Sequence, residues 1–178
     1  INIGTVMKNN SFDIFTGTTS VAQHFKTLGY TVIANDWLYF SYVLATANIQ
    51  INSVPSFTKL KAKFNYSNVD DIIEYLNNLK ATVDFITTNY TPYKTNNRQY
   101  FTVENGKKID SIRIKINQWL LNDLITVSES CYLISSLIYA INQVSNVSGT
   151  YGSYLKSWDN RAFKKITLKQ PISILTVF

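Results

Sequence analysis

The sequence predicts an α/β domain, and three observations between residues 12 and 36 carry the prediction. The first is a short apolar strand, Phe12, Ile14 and Phe15, expected to be buried. The second is a small-residue turn running into an amphipathic helix. Gly17 takes positive φ freely and lets backbone approach a ligand, while Thr18, Thr19 and Ser20 offer N-cap hydroxyls. Val21, Phe25 and Leu28, at i, i+4 and i+7, form the expected inner stripe, and Gly29 stands where a C′ glycine stops a helix. The third is a second strand, Tyr30 to Ala34, that ends in Asn35-Asp36. Together these make a βαβ half-unit with parallel strands and a right-handed crossover through Ser20–Leu28, in a three-layer arrangement with a mostly helical insertion from about 55 to 146. A strand, a small-residue turn and a helix N-terminus make a binding site for a polar cofactor. Asp36 follows the turn at about the twenty-residue distance at which an acid reaches ribose hydroxyls.

Residues 1–10 are a polar lead-in, and a chain opening on Ile1 just ahead of a strand is expected to be cut from a longer one. The run Trp37 to Ala45 is apolar on nearly all sides, which argues a buried helix; Trp37 is either core or the wall of an adenine pocket. A helix spans Val69 to Leu79, with Ile72, Ile73, Leu76 and Leu79 on one stripe and Asn68 as its cap. Asn89 to Arg98 is an aperiodic, aromatic and polar loop, of the kind that carries function. Glu104 to Leu121 reads as a helix with Ile109, Ile112, Ile116, Trp119 and Leu120 on one side. A second helix, capped by Ser128 and lined by Cys131, Ile134, Ser135, Ile138 and Ile141, pairs with it through Asn122-Asp123 as an αα-hairpin. Ser145 to Lys169 combines small residues, aromatics and a basic cluster. Ile172 to Phe178 is a short closing strand.

Composition narrows the function classes. The 178 residues are 46% hydrophobic, enough for a packed core. No uncharged apolar run of spanning length and no signal sequence occurs, so the protein is expected in the cytoplasm, with no membrane partner. One cysteine and one histidine exclude the common zinc clusters, and no metal is expected. Cys131 reads as a small buried residue and His24 as a surface or partly buried one, not as a nucleophile and base. A net charge of +6 suits a polyanion, although a merely solvated basic face has the same composition. The uneven placement is more informative: Lys156, Arg161, Lys164, Lys165 and Lys169 crowd together against Asp159 alone.

The segment from Asp13 to Ile49 resembles the cofactor half of the D12 (Dam-like) class of adenine-specific DNA N6-methyltransferases, as do Arg98 to Thr102 and Ser145 to Trp158. The resemblance covers nearly the whole chain. It implies a Rossmann-like S-adenosylmethionine-dependent methyltransferase sheet, here partial. An acidic-x-Phe-x-Gly-x-Gly turn holds the cofactor in that family, and Asp13, Phe15 and Gly17 occupy its positions. Thr18, Thr19, Asp36 and Trp37 complete the implied cofactor set, with Asp36 at the ribose position. Thr19 stands where the family has a second glycine, and a threonine fits there if its φ is negative. On this reading residues 1–54 are the cofactor-binding part, 55–146 the helical insertion and candidate DNA-recognition region, and 147–178 a basic aromatic segment returning to the sheet. Arg98, Tyr151, Tyr154, Lys156, Arg161, Lys164 and Lys165 are the implied contacts to double-stranded DNA.

The methyl acceptor in that family is the amine of a flipped-out adenine, polarised by an Asp/Asn-Pro-Pro-Tyr tetrad. Thr91-Pro92-Tyr93 lacks the acid or amide and one proline, so no residue here is assigned to catalysis. The Lys-Tyr-x-Gly-Ser-Lys-like segment expected before the first strand is also missing. The expectation is therefore an internal portion of a longer enzyme of restriction-modification type, its active site completed by a further polypeptide segment. The alternative is a non-catalytic nucleotide- or nucleic-acid-binding module, or a regulatory subunit, with a methyltransferase-like fold. A nicotinamide-dependent oxidoreductase fits less well, because the turn lacks Gly-x-Gly-x-x-Gly.

Overall fold

A computed structural model describes residues 10–149 and 152–171 of the chain, so Tyr151 and the closing strand expected at 172–178 lie outside the described residues. The chain divides into two compact units, residues 1–55 with 171–178, and residues 56–170.

The first unit holds the βαβ element. Strand β1 (Asn10–Asp13) pairs in parallel with β2 (Thr31–Ala34), in a register that places Asn10 opposite Thr31 and Asp13 opposite Ala34. Helix α1 (Ser20–Thr27) connects them. It ends in a Schellman motif at Gly29 (φ 82°): the Gly29 amide donates to the Lys26 carbonyl and the Tyr30 amide to that of Phe25. Helix α2 (Tyr39–Ala45) continues as a π-turn over Thr46–Gln50.

Burial in this unit departs from the expectation. Ile14 and Phe15 lie beyond β1, and Phe12, Ile14 and Phe15 are all exposed, because no third strand joins the pair among the described residues. On α1, Val21 and Leu28 are exposed, whereas Ala22 and Lys26 are buried. Lys26 belongs inside because its ammonium donates to the carbonyls of Asn48 (3.1 Å), Ile49 (2.8 Å) and Ile51 (2.8 Å), closing the C-terminal end of the π-turn. Burial holds its pKa below the usual lysine value. Around α2 only one side is covered: Val43, Leu44 and Ala47 are buried, while Leu38, Tyr39, Phe40 and Tyr42 face outward. Trp37, 96% exposed, is not core.

The second unit is helical: α3 (Thr58–Phe64), α4 (Val69–Asn77), α5 (Phe85–Tyr90), α6 (Val103–Leu121) and α7 (Val127–Val144). Asn68 caps α4 in a capping box with Asp71, and Ile72, Ile73 and Leu76 are buried. Helices α6 and α7 pack as the expected hairpin, with Ile109, Ile112, Ile116 and Trp119 facing inward. The cap of α7 is Thr126 rather than Ser128, because Glu129 closes a capping box with Thr126. The same carboxylate accepts the Phe57 amide at 2.6 Å. The buried side of α7 is centred on Tyr132, Leu133, Ser136, Leu137 and Ala140. Cys131 and Ser135 are buried beside them, while Ile134, Ile138 and Ile141 are half-buried.

Candidate functional site

The turn after β1 is assembled by bonds between two segments nineteen residues apart. Beyond the ladder, the Asn35 amide donates to the Asp13 carbonyl (2.8 Å) and the Thr16 amide to the Asn35 carbonyl (3.0 Å). The Gly17 amide then donates to Asp36 Oδ2 at 2.8 Å, and the Leu38 amide to Asp36 Oδ1 at 2.9 Å. Asp36 therefore stands directly on the turn. The Leu38 and Gly17 amides, in that order, hold its carboxyl below the ordinary carboxylate value. The Ser41 hydroxyl and the Trp37 amide act on it more weakly in the same direction.

Gly17 adopts φ +50°, and a Cβ placed on it meets nothing nearer than the Phe15 carbonyl at 3.9 Å, so the space over this backbone is open. Phe15 (86% exposed) precedes the turn, and Trp37 follows Asp36 on the outside. Thr16, which sequence reasoning missed, is buried within the turn with a hydroxyl that has no partner. These features suit a polar ligand with an apolar ring.

Two expectations about the turn are overturned. Thr18 and Ser20 bond to each other through their hydroxyls (3.0 Å) and do not cap α1. Thr19 is the N-cap residue, yet it has φ 67° and its side chain caps nothing. A chain entering the helix from the left-handed region turns that hydroxyl away from the first amides, and Thr19 Oγ1 accepts instead from Gln23 Nε2 (2.8 Å) and Asn48 Nδ2 (3.0 Å).

In the helical unit, the basic residues sort into engaged and free. Arg161 is tied down, with Nη2 donating to the Val147 carbonyl and Nε standing 3.6 Å from Asp159. Tyr154 is half-buried, its ring edge-on to Tyr100 at 5.1 Å, and its backbone bridges Val147. Trp158 packs against Phe163. Lys156, Lys164 and Lys165 are exposed. Lys164 and Lys165 line a cavity of about 400 Å³ together with Lys108, Glu104 and Phe163. Burial, and then the charge of Lys165, lower the Lys108 pKa, so the two cations feel each other across this cavity. The segment is held to α6 by buried Asn105, whose Nδ2 donates to the Ala162 (3.0 Å) and Lys164 (2.9 Å) carbonyls and whose Oδ1 accepts from the Ile166 amide (3.0 Å).

Arg98 is exposed on the loop after α5, with Nη1 donating to the Asn89 carbonyl (3.0 Å) and its remaining guanidinium donors available. Thr91 is buried under Gly106 and Tyr93 lies beneath the ammonium groups of Lys94 and Lys107, which places Thr91-Pro92-Tyr93 in the packing of the loop. Among the described residues no group of His, Cys, Asp and Glu converges as a metal site requires, and no helix is long and apolar enough to cross a membrane.

Residues 2–174 match the model of the D12 class N6 adenine-specific DNA methyltransferases. The chain belongs to that family. Among relatives of this D12 class chain, the Type II methyltransferase M.FokI of Planomicrobium okeanokoites is 44% identical over 160 residues, covering 88% of this chain and 24% of the relative. The modification methylase StsI of Streptococcus sanguinis is 42% identical, covering 88% and 23%. The Type II methyltransferase M.NlaIII of Neisseria lactamica is 33% identical, covering 88% and 44%. The chain thus spans about a quarter of the length of the first two. No solved structure matches it. For a member of this D12 class, the two-stranded parallel element with its helical second unit is compatible with part of a methyltransferase fold.

Proposed function

We propose that this chain is the cofactor-binding and DNA-reading portion of a restriction-modification adenine N6-methyltransferase, with β1 and β2 as part of a Rossmann-like sheet. The bond from the Gly17 amide to Asp36 supports this reading most strongly. It joins the two elements that a nucleoside-bearing cofactor must bridge, a glycine turn with open backbone and an acid held ionised. Asp36 accepts the ribose hydroxyls of S-adenosylmethionine, Trp37 and Phe15 offer faces for its adenine, and the Asp13–Thr19 turn takes the polar end. The bound cofactor supplies an electrophilic methyl group on a sulfonium. The residues of this chain orient it, and none is assigned to the transfer step.

Double-stranded DNA is the proposed partner of the helical unit. Exposed Lys164 and Lys165 beside the cavity, with exposed Lys156, meet phosphates, while Arg98 on its loop reaches a base edge. Calorimetry with S-adenosylmethionine on the whole protein tests the cofactor half. Asp36→Ala is expected to weaken binding at least about tenfold while leaving the protein folded. Unchanged affinity would remove Asp36 from the site. Methyl transfer to duplex DNA by the whole protein separates the enzyme from a binding module of the same fold.

A further inference from the structure

Thr19 occupies a conformation that its side chain opposes. A β-branched residue in the left-handed region is strained, and glycine is the usual solution. Here the threonine is fully buried with φ 67° and ψ 8°, between a tight turn (Thr19 amide to Thr16 carbonyl, 2.6 Å) and the first bond of α1 (Gln23 amide to Thr19 carbonyl, 2.8 Å). Two side chains hold it there. Gln23 Nε2, one turn along the same helix, donates to its Oγ1, and so does Asn48 Nδ2 from the π-turn. Asn48 is itself buried and cannot drift, because Lys26 grips the backbone carbonyl of Asn48 and those of Ile49 and Ile51. The widened backbone at Thr46–Gln50, with the Ile51 amide reaching back to the Thr46 carbonyl, sets the place from which the amide is aimed.

We infer that Asn48 is a positioning residue of the cofactor turn: its side-chain amide, bonded to Thr19 Oγ1, keeps a threonine in the conformation that the turn otherwise demands of glycine. The inference rests on the reading of this turn as the S-adenosylmethionine site. The π-turn and Lys26 are the frame that presents the amide, and Thr19 is the point where it acts on the turn. A general contribution of Asn48 to stability predicts that its loss is felt whatever residue stands at 19. A positioning role predicts that glycine at 19, which takes positive φ without a hydroxyl to satisfy, makes Asn48 dispensable.

The test is a double-variant cycle in the full-length protein with Asn48→Ala, Thr19→Gly and both together. Each is measured by calorimetry with S-adenosylmethionine and by amide hydrogen exchange over residues 14–24 without ligand. Loss of one buried hydrogen bond on the turn predicts binding weaker by about fivefold in Asn48→Ala, with faster exchange at Thr19 and Gln23. Adding Thr19→Gly is expected to return both to within about twofold of wild type. If Asn48→Ala fails to fold and the double variant folds, the rescue is shown in that form. Wild-type values in Asn48→Ala, a double variant no better than Asn48→Ala, or failure of both to fold would each overturn the inference. A wild-type protein that takes up no S-adenosylmethionine would refute the cofactor reading, while the exchange arm still decides whether Asn48 holds the turn.

Discussion

Removing the Asp110 carboxylate is expected to destabilise the helical unit strongly. Asp110 is fully buried on α6 and closes the N-terminal end of α5. Its Oδ2 accepts from the Asp84 amide (3.0 Å), the Thr87 amide (2.8 Å) and the Thr87 hydroxyl (2.7 Å), and its Oδ1 accepts from the Ile86 amide (2.9 Å). Helix α5 is only six residues long, too short to persist without tertiary support. Asp110→Ala deprives four donors at once. Each costs roughly 1–3 kcal/mol if it stays buried, but the exposed end of α5 lets some rehydrate, so a total of about 3–5 kcal/mol is expected. Asp110→Asn keeps one acceptor oxygen. Turned toward the three donors at Oδ2, it leaves an amino group facing the Ile86 amide, at about 1–3 kcal/mol. Urea unfolding with unchanged slope measures both. Because α5 carries the loop bearing Arg98, the alanine variant is also expected to lose discrimination between target and scrambled duplexes. A cost below about 1 kcal/mol for Asp110→Ala would refute the assignment of this carboxylate as the cap of α5.

Gly106→Ala places a methyl group 2.4 Å from Thr91 Cγ2 and 3.3 Å from the Thr87 backbone, and overpacking between α5 and α6 is expected to cost about 1–3 kcal/mol in the same unfolding assay. The Asp36 pKa is depressed, so its contribution to holding the turn is fully present above the unfolded carboxylate value near 3.8 and is lost as pH falls through the lower folded value. The Gly17 and Leu38 amide resonances are expected to titrate below that value, and a midpoint at or above it would contradict the two bonds. Lys164→Ala with Lys165→Ala is expected to weaken binding to all duplexes alike and to reduce the salt slope by about one for each phosphate no longer neutralised; an unchanged slope would show a solvated face. Arg161→Ala, by contrast, is expected to act mainly on stability, since its guanidinium is already committed to Val147 and Asp159.

Elements whose signals are local were legible in the sequence. The 3.6-residue periodicity of Ile109, Ile112, Ile116 and Trp119 marked α6 because the same stripe that repeats in sequence is the one buried. Asn68 marked the start of α4 because a cap bonds within its own first turn. The Thr126-x-x-Glu129 spacing is equally local, and it, rather than Ser128, marks the start of α7. The site was legible in its parts and not in its assembly. Spacing put Asp36 near a turn, but the acceptance of the Gly17 amide, nineteen residues away, depends on a strand register that pairs residues twenty-one apart. Helix α1 shows why such bonds defeat periodicity. Its inner position went to Lys26 because three carbonyls of the π-turn require a donor, a demand that arises twenty-two to twenty-five residues later. Thr19 is the sharpest case: φ +67° contradicts its own preference, and the compensation lies in Gln23 and in Asn48, twenty-nine residues away. A turn that departs from glycine can therefore be judged only with the side chain that answers it, and in this chain that side chain sits on the π-turn.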